Sequence, residues 1–150
     1  MRIVIQRVRE ASVSIGGKLR CSIGQGLMIL VGICDEDTVE DIDYLCRKAV
    51  QMRIFDDAEG VMNLPVTEVP GSGILVVSQF TLMASTRKGN RPSYIHASKP
   101  DFAVPMYEQF VAKMQELSGR EVQTGVFGAD MQVALVNDGP VTIVMDSKMR

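Results

Sequence analysis

The sequence predicts an α+β fold: a mixed or antiparallel β-sheet or open barrel backed by two main helices, in a single domain spanning residues 1–150. Three observations carry this. Strand-patterned segments outnumber helical ones, the two kinds do not alternate along the chain, and 150 residues suffice for one buried core without staples.

Residues 2–8, RIVIQRV, alternate apolar and polar like a half-buried strand, and ASVSI at 11–15 reads as a second strand before a Gly16-Gly17 turn. GLMILVGI at 26–33 is a continuous apolar run, the pattern of a central strand covered on both faces. A helix follows. Asp37 and Glu40 have capping-box spacing, and Val39, Ile42, Leu45, Cys46, Ala49 and Met52 recur at helical intervals. The acids of DEDTVEDID at 35–43 therefore sit where a helix N-terminus favours negative charge. ILVVSQFTLM at 74–83 predicts a long strand, followed by the polar loop ASTRKGNRPSYIHASKP. A second helix is predicted over 101–118. Met106, Tyr107, Phe110, Val111, Met114 and Leu117 lie on one face, Pro105 is assigned near the first turn, and Gly119 ends it. VQTGVF, MQVALV and VTIVMD complete the strands.

Composition narrows the function classes. Apolar content of 46%, charged content of 23% and a net charge of −2 suit a soluble globular protein rather than one that coats nucleic acid. The arginine-punctuated start is no signal peptide, and the longest apolar run is far shorter than the ~20 residues a membrane span needs. Cys21, Cys34 and Cys46 fit neither a disulfide framework nor a zinc site, and His96 is the only histidine, so no metal is expected. A reducing, cytoplasmic setting follows. Charge is nonetheless uneven. Residues 74–100 contain no acid but carry Arg87, Lys88, Arg91 and Lys99, so any RNA contact is expected to be local.

No nucleophile elbow, Walker loop or dinucleotide fingerprint is present. Ser78, Gln79 and Thr81 interrupt an otherwise apolar strand, so they either bond internally or line a cleft. The stretch NDGP at 137–140 lies between two β-branched runs. Asp138-Gly139 is a strong hairpin signal, with Pro140 opening the next strand where a missing N–H is tolerated.

SQFTL at 78–82, KGNRPSY at 88–94 and NDGPVTI at 137–143, in this order, resemble the D-aminoacyl-tRNA deacylase family. MRIVIQRV and GLMILVGI extend the likeness over essentially the whole chain. The resemblance implies a homodimeric cytoplasmic enzyme, without cofactor, that hydrolyses the ester joining a D-amino acid to tRNA. Neither membrane nor DNA is an expected partner. It also implies that Gly139-Pro140 is cis, and that each site is completed by this motif from the partner subunit. The expected site residues are Gln79, Phe80 and Thr81 at the reacting carbonyl, and Ser78, Gly139 and Pro140 in substrate binding and rejection of L-amino acids. Arg7 is assigned as a brace for that motif; Arg87, Lys88 and Arg91 are assigned as tRNA contacts. Glycyl-tRNA, whose amino acid has no side chain to reject, is an expected further substrate. Because no general base is visible, the tRNA's own 2′-hydroxyl is expected to assist. Two rival readings stay open: a non-catalytic tRNA-binding module, and a small-molecule esterase with a Thr81 nucleophile.

Overall fold

The computed structural model describes residues 1–150. In chain order it has β1 (Arg2–Ile15), β2 (Lys18–Ile23), β3 (Gly26–Gly32), α1 (Val39–Gln51), β4 (Phe55–Asp56), β5 (Met62–Leu64), β6 (Gly73–Ser78), α2 (Pro100–Ser118), β7 (Val122–Thr124) and β8 (Gln132–Asp146). Six strands form one mixed sheet in the order β2-β1-β3-β6-β7, with β8 on the other edge of β1; β4 and β5 form a separate small ribbon. The β3–β6 and β6–β7 pairs are parallel and the rest antiparallel. No helix is long and apolar enough to cross a membrane.

The central strands bury both faces, as the unbroken run at 26–33 predicts. Leu27, Ile29 and Val31, with Ile74 and Val76, join the larger core beneath the two helices. Met28, Leu75 and Val77 belong to a smaller cluster with Val8, Ala11 and Val13 on the opposite face. Phe110, Met114, Ile42 and Leu45 close the helical side, each burial contributing about 1.5–3 kcal/mol.

Several elements differ from the sequence expectation. RIVIQRV and ASVSI are one strand, because β8 pairs along nearly all of β1 and carries it past exposed Arg9 and Glu10. Val39 and Leu117, assigned to buried helix faces, are 54% and 40% exposed. The strand in VQTGVF stops at Thr124. Pro105 sits in the second turn of α2, while Pro100 takes the first position, where proline loses no helical bond. The first helix is capped one residue later than Asp37. Thr38 is its N-cap, and both its N–H and its hydroxyl donate to Asp41 (2.8 and 3.1 Å). Asp37 instead binds the Met1 ammonium and the Cys34 N–H.

Asp41 is buried, and burial alone would raise its pKa. Hydrogen bonds from Lys148, Ser147 and Thr38 outweigh that and hold it well below the ordinary carboxylate range. A depressed folded-state pKa contributes stability at neutral pH that is lost as pH falls below the unfolded value toward the folded one. Asp41→Asn is therefore expected to lower the melting temperature at pH 7 by about 5 °C, the loss of a capping acid and its ion pair. The difference from wild type should shrink below about pH 3.8, as thermal melts across pH will check.

Candidate active site

The polar residues that interrupt the 74–83 segment end its strand. Ser78 is the last residue of β6, paired with Val31, and residues Phe80–Met83 form a 3-10 turn. The predicted strand stops here because β3 ends at Gly32, which removes the ladder partner. A Cβ on Gly32 would come within 2.8 Å of Leu82 Cβ and 3.1 Å of the Gln79 carbonyl. Glycine thus lets the turn lie directly on the strand. Its position is fixed from the other side by Arg2, whose Nη1 donates to the Leu82 carbonyl (2.7 Å) while Nε and Nη2 grip Asp146 (3.1 and 2.8 Å). Nothing in the sequence pattern pointed to Arg2 or Gly32.

Within the turn, Gln79 Nε2 donates to Thr81 Oγ1 (2.6 Å). Both sequence alternatives for the polar trio therefore hold in part: Gln79 and Thr81 bond to each other, while Ser78, Gln79 and Phe80 line a cleft of about 590 Å³. Tyr94, Lys99, Phe127, Asp130 and Met131 are among its other walls. Phe80 is 54% exposed and meets Tyr94 edge-to-face, the ring centroids 5.1 Å apart. The first bond internal to the turn runs from Leu82 N–H to the Gln79 carbonyl. The Phe80 and Thr81 N–H groups precede it, in the position where a helical turn leaves donors for other partners. His96 lines a different groove, with Arg2, Cys34, Asp35 and Asp146. Burial pushes the Cys34 and Cys46 thiols up, as expected of packing residues rather than nucleophiles. Arg87, Lys88 and Arg91 are exposed on the loop after the turn.

The NDGP stretch is not a hairpin. MQVALV and VTIVMD are the two halves of β8, and both pair antiparallel with β1: Gln132–Asn137 against Ser14–Val8, then Thr142–Asp146 against Gln6–Arg2. Between these blocks Asp138–Val141 bulge out opposite the single residue Arg7. The Gly139–Pro140 bond is cis, both residues are exposed, and neither is paired with β1. Gly139 has φ +137°, a conformation open to glycine and strained for other residues.

Arg7 is 8% exposed. Its Nε donates to the Asp138 carbonyl (2.9 Å), and its Nη1 to the Ile54 carbonyl (2.6 Å) and Asp56 (3.4 Å). The residue assigned as a brace thus touches the base of the bulge. Asn137, which had no role of its own in the sequence reading, holds the other end. Its Oδ1 accepts the Val141 N–H (2.8 Å) and its Nδ2 donates to Thr142 Oγ1 (2.8 Å).

Turn and bulge do not meet within one chain. Arg7 is level with Leu27 and Ile74, four residues short of Ser78, and β8 lies three strand spacings from β6. The separation along the sheet is roughly 20 Å at ~4.8 Å per strand and ~3.3 Å per residue. No residue of 137–142 lines the cleft beside the turn.

The family model described as D-Tyr-tRNA(Tyr) deacylase matches residues 4–146. The D-aminoacyl-tRNA deacylase of Flavobacterium johnsoniae is 61% identical over 150 residues, covering 100% of this chain and 99% of that one. The Porphyromonas gingivalis protein of the same name is 63% identical over 147 residues, covering 98% and 97%. Among solved structures, the c-Myc DNA unwinding element binding protein superposes with a TM-score of 0.90 at 37% identity, covering 97% and 98%. A structure described as a "probable eukaryotic D-amino acid tRNA deacylase" superposes at 0.81 with 19% identity, covering 96% and 97%, and so supports the fold alone.

Proposed function

The chain belongs to the D-Tyr-tRNA(Tyr) deacylase family, and from that premise we propose how its residues hydrolyse the ester of D-aminoacyl-tRNA. The 79–81 turn of one subunit receives the ester carbonyl, and the Gly139–Pro140 bulge of a second subunit receives the ammonium group. In one substrate the carbonyl carbon and the ammonium nitrogen are only two bonds apart. Two features roughly 20 Å apart on one sheet cannot both serve it, which supports a homodimer with shared sites.

Water adds to the ester carbonyl, the oxyanion is held by the Phe80 and Thr81 N–H groups, and the C–O3′ bond breaks. The 3′-oxygen takes a proton, releasing the D-amino acid and tRNA. The neighbouring 2′-hydroxyl relays that proton from the attacking water. The observation that carries this RNA-assisted reading is that Thr81 Oγ1 is bonded to the Gln79 amide N–H, a donor that cannot take its proton, with His96 in a different groove. Electrostatic positioning then supplies the rate enhancement. Two carbonyls at the bulge attract an ammonium group and exclude an L side chain by contact, a rejection that needs no matching pocket for each accepted residue. Glycine, having no side chain to exclude, passes.

The test compares four substrates: D-tyrosyl-tRNA, L-alanyl-tRNA, D-tyrosine ethyl ester, and D-tyrosyl-tRNA ending in 2′-deoxyadenosine. Only the first should turn over fast. Rapid cleavage of the ethyl ester would establish the esterase reading, and an unimpaired deoxy substrate would remove the 2′-hydroxyl from the mechanism. Binding of D-tyrosyl-tRNA without any cleavage would leave the tRNA-binding module.

Thr81→Ala should keep its rate to within about tenfold, since it loses one hydrogen bond worth about 0.5–1.5 kcal/mol. Complete loss of turnover, with folding and tRNA binding intact, would make Thr81 the nucleophile. Charge reversal at Arg87 and Lys88 should weaken tRNA binding and flatten its dependence on log salt by about one unit or more, because each phosphate contact releases counterions. Unchanged affinity and slope would reduce this loop to a solvated face.

A further inference from the structure

We propose that Asn137 is the positioning residue for the Gly139–Pro140 carbonyl pair, setting the rate and the handedness of hydrolysis without touching the substrate. The inference rests on the reading that those carbonyls receive the substrate ammonium group.

Four residues, Asp138–Val141, stand opposite Arg7 alone, so no ladder bond to β1 fixes their shape. Side chains fix it instead. Arg7 holds one point, the Asp138 carbonyl, from below. Asn137 closes the bulge across its two ends. Its Oδ1 accepts the Val141 N–H, and its Nδ2 donates to Thr142 Oγ1, both at 2.8 Å. A backbone N–H can only donate, so the orientation of the amide is forced. Thr142 Oγ1 in turn receives Gln6 Nε2 at 3.4 Å, tying the clip to β1. Gly139 and Pro140 belong to the loop of backbone that the bond between Asn137 and Val141 closes. Removing Oδ1 releases the Val141 N–H, so between the Asp138 carbonyl held by Arg7 and Thr142 in the ladder the backbone that carries both carbonyls can shift.

Chemistry distinguishes a clip from simple bulk. Asn137→Asp retains an acceptor for Val141, and the Thr142 hydroxyl can rotate to donate to the second carboxylate oxygen. Asn137→Ala loses both contacts, and Thr142→Val loses one of them together with the Gln6 bond. On D-tyrosyl-tRNA, Asn137→Ala should lose about 100-fold in kcat/KM, the scale of a misplacement of about 1 Å, while Asn137→Asp stays within about threefold of wild type. Thr142→Val should fall between them. The ratio of L-alanyl-tRNA to D-tyrosyl-tRNA cleavage should rise about tenfold or more in Asn137→Ala, because a mobile carbonyl pair no longer excludes the L side chain. Merely structural damage would lower both rates together and would leave that ratio unchanged.

The inference is overturned if Asn137→Ala keeps the wild-type rate and ratio, or if Asn137→Asp is as impaired as Asn137→Ala. Gly139→Ala measured in parallel separates the two levels. An impaired Gly139→Ala beside a normal Asn137→Ala ends only the positioning role; a normal Gly139→Ala ends the reading of the carbonyl pair as well. Should Asn137→Ala not fold, Thr142→Val decides by the same ratio.

Discussion

Gly139→Ala is expected to lose at least about a hundredfold in kcat/KM on D-aminoacyl-tRNA while remaining folded. A Cβ at this position would lie 2.9 Å from Val141 Cγ2, 3.1 Å from Arg7 Nη2 and 3.2 Å from the Val141 nitrogen. Two of these neighbours are parts of the bulge itself, and the third is the guanidinium that holds it, so relief of the clash must reshape the bulge. The φ of +137° adds strain for any side chain, about 1–3 kcal/mol. That is a fraction of the ~5–15 kcal/mol by which a domain is stable, and the bulge projects from the sheet rather than from the core. Folding should therefore survive and activity should not. Wild-type turnover by a folded Gly139→Ala protein would show that the bulge takes no part in the chemistry.

The sequence was most legible where burial is two-sided or periodic. The run at 26–33 lies in a strand covered on both faces, and the 106–114 stripe faces the core through Met106, Tyr107, Phe110 and Met114. It misled where a polar side chain rather than the backbone decides local shape. Asp138-Gly139 has hairpin chemistry, yet the chain runs on because Ile143 and Met145 continue to pair with β1. Local preference yielded to a ladder with a distant strand. The three-residue excess inside that ladder is closed by Asn137 and Arg7, contacts between residues 4 and 131 positions apart. Likewise, 80–83 carries strand-forming residues but turns, because Gly32 and Arg2 capture it from two other strands. The short motifs named the residues of the proposed site. Only three-dimensional placement separates the turn from the bulge.

That separation makes subunit complementation the most direct test of the shared site. Gly139→Ala disables the bulge and leaves the turn intact. Phe80→Pro does the reverse: it removes the Phe80 N–H and ring at the first position of a helical turn, where proline is tolerated. Each variant alone should be inactive on D-tyrosyl-tRNA. In a mixed dimer, one site would join the intact turn of the first variant to the intact bulge of the second, while the other site would combine both defects. After equimolar mixing and subunit exchange, about half the dimers are mixed, so about a quarter of wild-type activity should return if assembly is random. Persistent inactivity, with mixed dimers demonstrated, would contradict a site built from two subunits.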